Sequence, residues 1–209
     1  MKQKLIIVGA GGHGRVVADL AERLGCYGSI LFLDDGGPIG GNVVGGVSAC
    51  KTYLADSDFF IAIGDNATRE RLFAELDALG ASIATLVHPF ACVSPHATLG
   101  GGSIVMAGAV IQSGATLGRG IIVNTGATVD HDCRLADFCH VAVGAHLAGT
   151  VTVGERTVVG AGAMIVNNVN IPADSIIGAG AVVVKNISER GTYVGVPARR
   201  LHADPDSRQ

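Results

Sequence analysis

Tryptophan is absent and aromatics of all kinds make up 4% of the 209 residues, which leaves the core to aliphatic side chains. Charge is scarce as well, at 16%. With a mean hydropathy of +0.44, that excludes a disordered chain. No basic cluster occurs in the first 180 residues, and the net charge is -3 with a pI near 6.1, which argues against a nucleic-acid binder. No apolar stretch reaches the roughly 18 residues of a membrane-spanning helix without a glycine or a polar break. The apolar part of MKQKLIIVGAGGHGR is too short for a secretory signal. The five cysteines are odd in number and form no CxxC, so a reduced, cytoplasmic compartment is expected rather than a disulfide framework.

What the sequence does contain comes in two textures. Residues 1–88 alternate β-branched runs (4–8, 29–33, 58–63 and 83–87) with apolar residues at helical spacing, such as Val17, Leu20 and Leu24, or Leu72, Leu76 and Leu79. This predicts a small parallel α/β sheet. From Ala91 the chain falls into rows of six. The third column, from Val93 through Val183, is Val, Ile or Leu in sixteen of sixteen rows. A random column would hold about five. The first column is Ala, Ser, Cys or Thr in 13 of 16 rows, and the fourth is often Gly, as at Gly100, Gly118 and Gly154.

An unbroken period of six is a solenoid signature. Three short strands per coil build a triangular prism of about five coils, stacked roughly 4.8 Å apart. The first and third columns point inward and the second points out. The remaining three form the corner, where Gly and Asn tolerate positive φ. Cys133 and Cys139 fall in the small inward column and read as packing residues.

Two places carry chemistry. Gly9-Ala10-Gly11-Gly12-His13-Gly14 matches GxGxxG directly after a strand, with Asp34 and Asp35 ending the next strand. Such a loop offers backbone N–H groups and a helix N-terminus to a pyrophosphate, and the carboxylates suit sugar hydroxyls. The loop also reads as a tight turn without ligand, and His13 as an exposed loop histidine. A dehydrogenase is excluded, because 88 residues cannot hold a full dinucleotide fold and a substrate domain. His131 lies at a prism corner in Val129-Asp130-His131-Asp132-Cys133. An imidazole with one nitrogen held by a carboxylate is a good general base near neutral pH. Eighteen residues on, Gly149 is expected to leave open space over the ring, and Asn124 on the preceding corner to offer an amide. His140 and His146 point outward from successive faces about 120° apart, so within one subunit they cannot chelate one ion; zinc between subunits is the weaker alternative, and no metal is expected.

The hexad pattern resembles the left-handed parallel β-helix of the hexapeptide-repeat acyltransferases, whose prisms are usually trimers with active sites between subunits. The order of parts narrows this. GAGGHG, LDD, FFIAIGDN, VDHDC, CHVAVGAHLAG and YVGVPAR together resemble the sugar acyltransferases of bacterial surface-glycan pathways. These include the UDP-4-amino-sugar N-acetyltransferases of the bacillosamine type, the GDP-perosamine N-acetyltransferases and the sialic-acid O-acetyltransferases. The resemblance implies a Rossmann-like nucleotide-sugar domain over 1–88, a catalytic, acetyl-CoA-binding β-helix over 91–188 and a tail over 189–209. It implies His131 as the base, with Asp132 raising its basicity; the bacillosamine-type enzymes usually carry the longer Glu there. It places the nucleotide sugar, UDP-linked for preference, against Gly12, His13, Gly14, Asp34, Asp35 and Gly64. Acetyl-CoA is placed along Asn124, His140, Gly149, Ala161 and Ala179.

Direct transfer is favoured over an acyl-enzyme, since both cysteines near His131 point inward. Lys185, Arg190, Arg199 and Arg200 either meet CoA phosphates or are ordinary solvated charge. Three functions remain in view: N-acetylation of a nucleotide-linked amino sugar, O-acetylation of a sialic acid, and a non-catalytic trimeric scaffold that senses nucleotides.

Overall fold

A computed structural model describes residues 2–36 and 42–201. The first part is a parallel sheet of β1 (Lys2–Val8), β2 (Tyr27–Leu33), β3 (Val43–Gly45), β4 (Ser57–Ile61) and β5 (Ser82–Ile83), in the order β3-β2-β1-β4-β5. Alternation along β1 and β4 gives each face its own core. Leu5, Ile7 and Phe60 pack under Val17 and Leu20 of α1 (Gly12–Leu24). Ile6, Val8, Phe59 and Ile61 pack under Leu72, Phe73 and Leu76 of α2 (Asn66–Ala78). The strand order reverses between β1 and β4, which opens a crevice at their C-terminal ends, beside Gly9 and Gly64.

The run 83–87, read from the sequence as one strand, is divided. Ser82–Ile83 closes the first sheet, whereas Leu86–Val87 pairs with Ile104–Val105 and begins the second part of the molecule. That part is a left-handed parallel β-helix of two-residue strands. Its first face runs from Leu86–Val87 to Ile176–Ile177, the second from Cys92–Val93 to Val182–Val183, and the third from Thr98–Leu99 to Asn170–Ile171. From Ser103 on, the inward columns are buried as expected, Cys133 and Cys139 among them, while Ala91, Val93, Ala97 and Leu99 of the first coil are partly buried. Part of the tail continues the first face: Thr192–Val194 pairs with Ile176–Ile177 and turns back as Arg199–Arg200. Residues 202–209 of the tail lie outside the described residues.

The corner chemistry differs from expectation. Positive φ falls on the sixth column, from Gly102 to Gly180, at eight glycines and at Asp132, Phe138, Thr150, Arg156, Asn168 and Asp174. Non-glycine residues there are held by the neighbouring coil: Arg156 pairs with Asp174 at 2.7 Å, and Thr150 Oγ1 donates to Asn168 at 2.5 Å. The fourth-column glycines serve close stacking instead. A Cβ on Gly100 would lie 2.5 Å from the Gly118 backbone.

The outward column of the first face is apolar where the α/β part docks. Ile104 and Ile122 share a core with Val17 and Leu20 of α1. His140 is the next residue up that column. The adjoining corner, through Gly102, Gly120, Phe138 and Arg156, runs along α2. Phe73 meets Phe138 edge-on at 5.5 Å, and a Cβ on Gly102 would strike the Phe73 ring at 2.4 Å.

Candidate active site

The glycine loop separates into scaffold and open space. Gly14 packs so tightly on the end of β1 that a Cβ would lie 2.0 Å from Gly9 O, and Gly9 itself has φ +106. Around Gly11 and Gly64 nothing lies within 4 Å of a built Cβ, and at Gly12 only an Arg15 tip comes as near as 3.9 Å. Asp34 organises the loop: Ala10 N donates to its Oδ2 at 2.6 Å and Gly36 N to its Oδ1 at 2.7 Å. Val47 N donates to Asp35 Oδ1 at 2.8 Å, which fixes that carboxylate at the rim. Gly9, Asp34, Asp35, Gly36 and Arg71 line a cavity of about 240 Å³. It shares Asp35, Val47, Arg71 and Leu72 with a hollow of about 650 Å³ reaching Lys51 and Leu76.

His13, on the first turn of α1, comes close enough to His140 for the two to repel when charged. Burial, then the nearby Arg69 cation, lowers each from 6.5 to about 4, so both are neutral at physiological pH. His13 Nε2 is buried without a hydrogen-bond partner among the described residues. Asn124 Nδ2 lies 3.3 Å from His140 Nε2, so its amide serves His140 rather than His131.

His131 sits elsewhere. It lies between Thr128–Val129 of the second face and Arg134–Leu135 of the third. In a triangular prism that corner is opposite the first face, where His140 and Asn124 gather. Its Nδ1 is 2.9 Å from Asp132 Oδ2, and its backbone N donates to Asp130 at 2.7 Å. The Asp132 hydrogen bond raises its pKa and outweighs desolvation, and the charges of Asp130 and Asp132 add to the rise. With Nδ1–H held by Asp132, Nε2 carries the lone pair. The expected open space over the ring is filled by the ring: a Cβ on Gly149 would lie 2.3 Å from Nε2 and 2.5 Å from Cε1. Asp132 is accommodated the same way one coil below, where a Cβ on Gly114 would lie 2.5 Å from its Oδ1.

The expected acetyl-CoA residues therefore divide between two edges. Gly149 shares the His131 corner. Asn124, Ala161 and Ala179 follow one another up the corner between the first and second faces, beside His140. His146 faces Thr128 Oγ1 at 2.9 Å on the second face, and no His, Cys, Asp and Glu group fit to hold a metal occurs among the described residues. Sequence reasoning missed Arg69, among the described residues the only charged side chain that is fully buried. It also missed Gly114, whose signal was its position eighteen residues before Asp132.

A hexad prism with an acid-held corner histidine, joined to a glycine-loop α/β module, is the arrangement expected of a hexapeptide-repeat acyltransferase. The family model for the PglD N-terminal domain matches residues 4–76. The acetyltransferase domain of PglB from Neisseria gonorrhoeae FA1090, solved in complex with acetyl coenzyme A, is 44% identical, with a TM-score of 0.92 over 96% of this chain and 100% of that one. PerB from Caulobacter crescentus, solved with CoA and GDP-perosamine, is 39% identical, with a TM-score of 0.90 over 97% of this chain and 99% of that one. The UDP-N-acetylbacillosamine N-acetyltransferase of Bacillus subtilis (strain 168) is 37% identical over 112 residues. That match takes in 50% of this chain and about half, 52%, of the relative's length. The chain belongs to the hexapeptide-repeat sugar acetyltransferases of bacterial glycan pathways.

Proposed function

We propose that this chain moves an acetyl group from acetyl-CoA to the amine of a nucleotide-activated 4-amino-deoxy sugar, UDP-linked for preference, with His131 as general base. One observation carries the reading: Asp132 holds His131 Nδ1 at 2.9 Å and leaves Nε2 as the proton acceptor at a prism edge. The nucleotide sugar lies in the crevice of the α/β module, against Gly12, His13, Gly14, Asp35 and Gly64, with Asp34 shaping the loop. Acetyl-CoA lies along the prism, with Asn124, His140, Gly149, Ala161 and Ala179. The amine attacks the thioester carbonyl as Nε2 takes its proton. The tetrahedral intermediate then collapses and expels CoA as the thiol, leaving an amide.

Direct transfer is supported by the thiols. Cys133 Sγ and Cys139 Sγ donate inward to Ala148 O and Gly154 O, and burial pushes the Cys139 thiol up to about 12, so neither supplies a thiolate. A homotrimer is supported by the opposite placement of His131 and His140 in one chain. A site that needs both takes its base from one copy and its nucleotide-sugar module from another. Five free thiols fit work in the cytoplasm.

The test is CoA release from acetyl-CoA with a panel of UDP-, GDP- and dTDP-4-amino sugars and free sialic acids. Turnover with a nucleotide-linked amine supports the reading. Turnover with sialic acid alone would replace it by O-acetylation, and no CoA release with any of the sugars would leave a scaffold.

A further inference from the structure

Arg69 lies in the first turn of α2 and is 1% exposed, yet no carboxylate among the described residues forms an ion pair with it. Every donor is instead spent on neutral oxygens from two sides. On the α/β side, Nη1 donates to Ile63 O at 2.9 Å and Gly64 O at 3.1 Å, and Nη2 to Asn66 Oδ1 at 2.7 Å. On the prism side, Nε donates to Gly120 O at 2.8 Å, and Nη2 to Phe138 O at 2.8 Å and Cys139 O at 3.4 Å. Asn66 in turn donates to Arg156 O at 2.7 Å. The start of α2 thus grips three stacked left-handed corners, at residues 120, 138 and 156.

A buried guanidinium with no carboxylate in ion-pair contact, its nearest acid being the N-cap Asp65, is a poor way to join two modules, since an apolar side chain of similar size avoids its desolvation penalty. The modules already share an apolar seam through Val17, Leu20, Ile104 and Ile122. What the guanidinium adds is direction, because its planar fork meets acceptors at fixed angles. Those acceptors flank the groups that matter. Ile63 and Gly64 follow β4, against which Gly9 of the phosphate loop packs, with Ile63 Cδ1 2.8 Å from a Gly9 Cβ. Phe138 and Cys139 immediately precede His140.

We propose that Arg69 is a positioning residue for the transfer, fixing the nucleotide-sugar module on the prism so that the His13 loop and the His140 strand share one site in register. The proposal rests on the acetyl-transfer reading above. Each substrate is held mainly by its own module, so loosening the fork misplaces the amine relative to the thioester without removing the contacts of either. A displacement of about 1 Å is enough to slow a positioned reaction by about a hundredfold.

The experiment is steady-state kinetics on full-length Arg69→Lys, well below its melting temperature, with hydrogen exchange over residues 60–70 and 118–141. A lysine keeps the charge but cannot span Gly64 O and Gly120 O together. The expected result is a kcat about 10- to 100-fold lower, with KM for both substrates within about threefold and faster exchange at both segments. A kcat within twofold of wild type would reduce Arg69 to a stability contact. A rise in one KM alone of more than about tenfold would make it a binding residue, and either result overturns the proposal. Should the lysine variant fail to fold, Asn66→Ala decides. It removes one acceptor of the fork and the bond to Arg156, and an unchanged kcat there overturns the proposal. Absence of turnover in the wild type would sink the acetyl-transfer reading alone, because exchange reads the clamp without substrate.

Discussion

Replacing Gly149 by alanine would put a methyl carbon 2.3 Å from His131 Nε2 and 2.5 Å from Cε1. Ordinary contact begins near 3.4 Å, so the imidazole must retreat by about 1 Å or swing off the corner. Swinging is open to it, because the His131 side chain is 59% exposed. The backbone at Gly149 is not left-handed, so the alanine adds no strain of its own, and Tm should stay within about 3 °C. The loss falls on catalysis. Moving the ring breaks the 2.9 Å bond to Asp132 and carries Nε2 away from the amine. A displacement of that size costs about 10- to 100-fold in kcat, or about 1.4–2.8 kcal/mol. The assay is CoA release under saturating substrates, on Gly149→Ala, His131→Ala and the double variant. His131→Ala alone should lose about 10²- to 10⁴-fold. If the alanine acts through the ring, it should cost almost nothing more once the ring is gone. A Gly149→Ala enzyme with kcat within twofold of wild type, or one whose loss multiplies fully with that of His131→Ala, would refute the reasoning.

Asp132 holds the pKa of His131 above its ordinary 6.5, and the proposed base works only when neutral, so the acid limb of kcat/KM should lie above that value. Asp132→Asn should move the limb to lower pH and lower the plateau, which a pH–rate profile of both enzymes checks. In the glycine loop, Gly14→Ala sets a methyl 2.0 Å from Gly9 O and should destabilise the fold by about 3 kcal/mol in urea unfolding. Gly11→Ala meets nothing, should leave stability within about 0.5 kcal/mol, and should raise KM for the nucleotide sugar without touching that for acetyl-CoA.

The prism was legible because its period is its physics. An inward aliphatic every six residues cannot slip without exposing a face, and the third column never does. The corners were less legible. A left-handed φ at Phe138 or Arg156 is stabilised by a ring on Phe73 or an ion pair to Asp174, contacts one coil or one module away that no local pattern announces. The docking face had a signal in Leu86, Ile104 and Ile122, aliphatic where an outward column should be polar. Arg69 had none, because within Asn66-Ala67-Thr68-Arg69-Glu70-Arg71 it reads as one more charge on a helix surface. The glycine loop and the acid-flanked corner histidine were each visible as motifs. Their separation within one chain required knowing which face carries which column.

That separation sets the decisive measurement, since one working site is proposed to draw His131 from one copy and the nucleotide-sugar module from another. His131→Ala and the double variant His13→Ala, Asp35→Asn are each expected to be nearly inactive as pure assemblies. Co-expressed in equal amounts, they are expected to form mixed trimers, the assembly proposed above, in which a site is whole only when an intact module meets an intact His131 from a different chain. Random assembly makes about a quarter of all sites whole, so about a quarter of the wild-type rate should return. Activity no greater than the sum of the two parents would place base and nucleotide sugar in the same chain and contradict the account.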